Sequence, residues 1–169
     1  ELIYQEIETG VVLEDRGLTI TAFTVEHDPI KPALGYRIDY KGRSVVISGD
    51  SIATESTFDV ATNADLLFHD ALSKESLVAV IEVSREAGRD RLVQIFTDVM
   101  DYHADAKKLE MMSAEAGVKQ LVLYHLVPTP VNGLLMKIWQ RGLQSSTLIA
   151  NDGMTFELPA GQGPVVVTP

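Results

Sequence analysis

Ser44-Val45-Val46-Ile47-Ser48-Gly49-Asp50 is a short apolar run closed by a Gly-Asp turn, and Asp65-Leu66-Leu67-Phe68-His69 repeats the pattern a little further on. A run this short and apolar at every central position suits a strand covered on both faces, so each reads as a central strand of a sheet packed against helices. The period differs on either side. Upstream, Leu2–Ile7, Val11–Leu13, Leu18–His27 and Leu34–Tyr40 alternate apolar and polar residues between the turns Glu8-Thr9-Gly10, Asp15-Arg16-Gly17 and Lys41-Gly42-Arg43. Residues 1–50 therefore read as an antiparallel meander. Downstream, helical spacing over Ala53–Thr62, Lys74–Gly88, Ala104–Ala116 and Val131–Arg141 alternates with strands over Asp65–Phe68, Val118–Leu126, Thr147–Ala150 and Met154–Leu158. Residues 159–169 read as a tail, so 1–169 is expected to form a single domain of α/β class (α+β layered).

Composition narrows the function. The chain is 46% hydrophobic and 22% charged, too apolar for disorder, and its apolar residues never form a membrane-length stretch, so no membrane partner is expected. Lys+Arg number 14 against Asp+Glu 24, a net charge of −10 that repels phosphate backbones and disfavours nucleic acid as a partner, while leaving open a locally basic or metal-lined cleft that acts on one. There is no cysteine, which excludes disulfide scaffolds, zinc ribbons and thiol catalysis, and leaves the redox compartment unreadable. Glu1–Ile7 has neither a basic n-region nor an apolar h-region, so no signal peptide is expected in it; cytoplasm and periplasm both stay open.

The chain has four histidines. His27 closes Phe23-Thr-Val-Glu-His, His69 closes Asp-Leu-Leu-Phe-His, and His125 closes Leu121-Val-Leu-Tyr-His; Asp50 closes its own strand, and His103 stands just before a helix. The carboxyl edge of an open α/β sheet is where ligands bind. Taken singly, each has a plainer reading: a hydrogen-bonded strand-end histidine, a Ser-Gly-Asp turn, or a cap at Asp70 or Asp101. Chance would scatter some histidines onto helix faces, and their shared placement favours a metal or catalytic site. Imidazole and carboxylate are the donors that zinc, manganese or iron accept. No Gly-rich phosphate loop and no Gly-x-Ser-x-Gly elbow is present. Met111, Met112, Met136 and Met154 read as core filler, and Glu110 and Glu115 as a solvated helix face.

This ordered set of segments resembles the metallo-β-lactamase superfamily, and is most similar to the branch containing ribonuclease Z and arylsulfatase-like hydrolases. His27 followed by Gly35-Tyr36-Arg37-Ile38 is similar to a family histidine ligand upstream of a Gly-Tyr-Arg strand. Val45-Val-Ile-Ser-Gly-Asp50 resembles the motif whose aspartate bridges two ions. His69-Asp70-Ala71 resembles a His-Glu-Ala-Thr element with aspartate replacing glutamate, and His103 with Gly117-Val-Lys-Gln-Leu-Val-Leu-Tyr-His125 resembles the closing pair of motifs. The match runs from about Leu18 to about Leu158. The family's His-x-His-x-Asp-His motif is absent from this sequence, which therefore resembles the C-terminal half of a metallo-β-lactamase αβ/βα sandwich.

The resemblance implies two divalent metal ions, zinc first with manganese or iron as alternatives. His27 would serve one ion, His125 the other and Asp50 both, one donor short at each of the usual three protein ligands. The chain alone is therefore expected to bind zinc weakly. It implies a hydrolase in which a hydroxide on the dinuclear site attacks an ester-like centre while His103, with Asp70 and His69 as orienting partners, protonates the leaving group. A short hairpin between Arg37 and Ser48 replaces the long insertion of a ribonuclease Z, and with the acidic balance it points to a small-molecule substrate: an ester, sulfate ester, lactone or phosphodiester. The missing N-terminal half or another chain would complete the site, and the uncovered sheet face would favour pairing, a homodimer included. The alternative is a non-catalytic half-domain that acts through protein pairing.

Overall fold

The computed structural model describes residues 6–161 and 163–168. Its seven-stranded sheet runs in sequence order: β1 (Gly10–Asp15), β2 (Leu18–Thr24), β3 (Leu34–Tyr40), β4 (Arg43–Ile47), β5 (Leu66–Leu72), β6 (Leu121–Val127) and β7 (Leu148–Ile149). Neighbours are antiparallel from β1 to β4 and parallel from β4 to β7. The expected meander and the change to helical crossovers are both present. A parallel sheet that adds strands in one direction by right-handed crossovers carries its helices on one face. These are α1 (Glu55–Val60), α2 (Lys74–Glu86), α3 (Asp90–Asp98), α4 (Ala106–Glu115) and α5 (Gly133–Trp139). The architecture is mixed α/β, a large mixed sheet layered against helices.

The core lies between helices and sheet. Val46, Leu67, Leu121 and Leu123 alternate along β4, β5 and β6, and pack with Phe58 and Ala61 at α1 and Leu109 of α4. The opposite face carries Tyr36, Ile38, Val45, Ile47 and Phe68 half-buried. Part of it is covered by a hairpin of β8 (Thr155–Glu157) and β9 (Val166–Thr168), whose Phe156 meets Phe68 edge-on at 5.1 Å.

Several boundaries differ from the sequence reading, each for a local reason. Residues 2–5 of the first expected strand lie outside the described residues, and Glu6–Glu8 carry no regular structure. The segment expected as a tail contributes β9, held in part because Arg43 donates to the Gly161 and Gly163 carbonyls at 3.1 and 2.9 Å. Helix α3 was not expected; its N-cap, Arg89, makes no side-chain cap bond and so gives no polar start signal. Helix α4 begins later than Ala104 because Asp105 caps the Lys107 and Lys108 N–H groups, while the Ala104 carbonyl accepts Leu72 N–H at 2.7 Å. Met111 is exposed rather than core. Glu110 is buried rather than solvated, accepting from the Gln144 N–H and the Thr147 hydroxyl.

Gly35 shows why the Gly-Tyr-Arg strand starts with glycine. A Cβ there would stand 2.5 Å from the Phe23 ring and 3.0 Å from the Ile47 carbonyl oxygen. Gly35→Ala is expected to destabilise the protein by about 1–3 kcal/mol, the usual cost of overpacking. Thermal unfolding checks this, and an unchanged midpoint would mean that the Phe23 ring turns aside freely.

Candidate functional site

The carboxyl ends of β4, β5 and β6 lie side by side, and the loops leaving them bring the candidate side chains together. Asp50 follows β4. His69 and Asp70 lie within β5, which runs on to Leu72 past the expected end at Phe68. His27 stands beyond the end of β2 at Thr24, in the loop before β3. His103 follows a single 3-10 turn at Val99–Asp101 and precedes α4.

His125 occupies a bulge. Asp70 pairs with Tyr124 and Ala71 with Leu126, leaving His125 as the extra residue of β6, with φ of +43°. A non-glycine residue in the left-handed region is uncommon and is held there only by its surroundings, and a bulge re-aims a side chain at a sheet rim. His125 is accordingly exposed and gives Nδ1 to Asp50 Oδ1 at 2.7 Å.

Behind this pair lies a buried dyad. Asp70, fully buried, receives His103 Nδ1 on Oδ2 at 2.6 Å and the Ser51 N–H on Oδ1 at 3.0 Å. His69, also fully buried, sets Nδ1 2.8 Å from the Asp70 carbonyl and 3.1 Å from Asp70 Oδ1. Burial pushes the Asp70 pKa up, but the hydrogen bonds from His103 and His69, the charge of His69 and the Ser51 N–H outweigh it, and the carboxyl sits below its usual value. Asp70 is therefore an anion where a neutral acid would be cheaper to desolvate. Next to it in register, Tyr124 is pushed up to about 12 by burial and stays a neutral phenol at any working pH.

Three imidazoles, that of the dyad included, gather here. The His103 ring centroid is 5.6 Å from that of His27 and 5.2 Å from that of His125. Tyr102 fixes His27: its carbonyl accepts from His27 Nδ1 at 3.1 Å, which places the proton on Nδ1 and leaves Nε2 as the lone-pair nitrogen. His69 stays apart, in the core, with its ring stacked on Phe58. The structure thus unites Asp70, His69 and His103, pairs Asp50 with His125, and sets His27 beside His103. Among the described residues no three His, Asp or Glu side chains stand close enough to hold a metal ion. His27, Asp50 and His125 are donors of the kind a divalent ion accepts. Tyr102 and Ser51, which orient His27 and Asp70 through backbone atoms, were not singled out from sequence. A main-chain contact leaves no residue-type signal.

A family model described as a beta-lactamase superfamily domain matches residues 2–126, most of the chain. The chain belongs to the metallo-β-lactamase superfamily. Among curated relatives of this superfamily member, the ribonuclease Z of Mycobacterium avium (strain 104) is 33% identical over 129 residues, covering 76% of this chain and 42% of the relative. The ribonuclease Z of Mycolicibacterium paratuberculosis (strain ATCC BAA-968 / K-10) is 32% identical over the same shares. The chain thus spans about two-fifths of the length of the curated relatives it matches. Among solved structures, the metallo-beta-lactamase fold protein YhfI from Bacillus subtilis superposes with a TM-score of 0.55 at 23% identity, over 82% of this chain and 49% of that one. A diphosphatase from the PhnP family does so with a TM-score of 0.57 at 17% identity, over 87% and 46%. Both are likenesses of fold. That fold generally binds divalent metal ions.

Proposed function

We propose that this chain carries the proton-donating part of a metal-dependent phosphodiester hydrolase. The observation that supports it best is the contact between His103 Nδ1 and the buried Asp70 carboxylate at 2.6 Å. An imidazolium whose Nδ1–H is held by an anion presents its Nε2–H as a proton donor to a leaving oxygen. Asp70 remains charged and so stabilises the imidazolium; the Ser51 N–H and His69 fix its orientation. Dinuclear binding is part of the same reading: His27, Asp50 and His125 would hold metal, zinc before manganese or iron, with the remaining donors from outside this chain. Divalent ions bound there supply Lewis acidity at the scissile group and lower the pKa of water.

The relatives' name supports RNA as the substrate, against the expectation drawn from the net charge of −10. A net charge is a property of the whole surface, whereas phosphate recognition is local. The pairing reading draws support from the incomplete donor set, but a half-domain that only pairs has no use for a buried Asp–His dyad.

Elemental analysis of the longest natural form, purified without chelator, tests the reading together with cleavage assays on RNA and a nitrophenyl phosphodiester. About two divalent ions per chain and cleavage abolished by EDTA are expected. Metal-loaded protein that cleaves neither substrate would overturn it.

A further inference from the structure

The site shares a wall with a second feature. Leu72, two residues past Asp70, pairs with Asp105, two residues past His103. On the far side of this wall lies a cavity of about 740 Å³ between the starts of α2 and α4 and the end of α5. Its floor is apolar, with the buried Leu72 and Trp139, and its rim carries Lys74, Lys107, Lys108 and Arg141 against Glu75 and Asp105. The whole chain has 14 cations to 24 anions, so this rim reverses the prevailing sign. Lys107 is paired with Glu75, and Lys108 Nζ donates to the Ala53 carbonyl at 2.9 Å. The side chains of Lys74 and Arg141 make no hydrogen bond among the described residues.

We propose that this groove seats the phosphate backbone of the RNA strand flanking the bond to be cleaved, which rests on the phosphodiesterase reading above. A strand with one phosphate at His103 crosses the 103–105 wall into the groove, where rim cations meet the next phosphates and the apolar floor meets a sugar or base face. Without such a patch an acidic protein repels its own polyanionic substrate. An acidic peptide would satisfy the rim equally, but nothing would tie it to the wall that carries His103.

The test is fluorescence anisotropy of a labelled single-stranded RNA oligonucleotide on the metal-loaded longest natural form carrying His103→Ala, so that the strand stays intact. Adding Lys74→Gln and Arg141→Gln is expected to weaken binding on the order of tenfold at about 0.1 M salt, and to flatten the plot of log affinity against log salt by about 1.4, roughly 0.7 per lost phosphate contact. Arg16→Asn with Lys41→Asn, which removes charge from two distant turns, is expected to change neither. An unchanged slope in the groove variant, equal losses in the control, or polyglutamate competing as well as RNA of equal charge would each overturn the proposal. Turnover of the nitrophenyl phosphodiester by unsubstituted protein is measured alongside. If it is absent, and RNA is bound through the groove but not cleaved, the hydrolase reading fails and the groove stands.

Discussion

Replacing His103 by alanine is expected to lower turnover by about 10²–10⁴-fold, the usual contribution of a positioned acid–base residue, while leaving metal content unchanged. The separation follows from geometry. His103 spends Nδ1 on Asp70 at 2.6 Å, and its ring stands beside those of His27 and His125. Loss of metal along with activity would make His103 a ligand instead, and full activity would remove it from the chemistry. Asp70→Asn provides the companion measurement: it keeps the shape but loses the charge that stabilises imidazolium, so turnover falls with metal retained. The same substitution is visible in stability. Asp70's folded-state pKa is depressed despite burial, so its contribution is present above the unfolded carboxylate value, near 3.8, and is lost as pH falls through the lower folded value. Asp70→Asn therefore flattens the acid limb of the unfolding curve.

Much of this site was legible in sequence because its residues sit where strands end. Val45–Ile47 and Leu66–Phe68 form neighbouring buried strands, and Asp50, His103 and His125 stand near their carboxyl ends. What escaped was context rather than composition. Nothing in Leu-Tyr-His-Leu announces that His125 takes a positive φ, because the bulge is defined only by its pairing with β5. Glu110 reads as solvated until the loop at Gln144–Thr147 folds over it. Helix α3 lacks a capping side chain, and β9 exists only by pairing with β8. The partnership of Arg43 with Asp65 was equally invisible: neither has a local signal, and their charges meet only once β4 and β5 lie side by side.

That partnership carries the largest stability prediction. Asp65→Ala is expected to cost about 3–5 kcal/mol, as breaking a buried pair from one side does, because the Arg43 charge is then left uncompensated. Arg43 and Asp65 side chains are 7% and 3% exposed, with Nη1 3.4 Å from Oδ1. Asp65 also accepts the Ser44 N–H at 2.8 Å and Lys119 Nζ at 2.9 Å. Burial works to raise its pKa, yet Lys119, the Ser44 N–H and Arg43 together bring it below the usual value. Its contribution is accordingly present above the unfolded value and lost as pH falls through the folded one. Lys119→Ala removes a partner that is 58% exposed and is expected to cost only about 0–1 kcal/mol. Denaturant unfolding of both variants sets desolvation against charge counting: similar losses in the two would mean that Asp65 acts as one surface charge among several. A large loss at Asp65 alone would extend to the site, since the Asp65 carboxylate accepts the Ser44 N–H at 2.8 Å and so helps fix how β5 lies against β4. Asp50 leaves the far end of β4, and Asp70 lies near the far end of β5. The pair that holds the two strands together at one end therefore keeps the dyad aligned with Asp50 and His125 at the other.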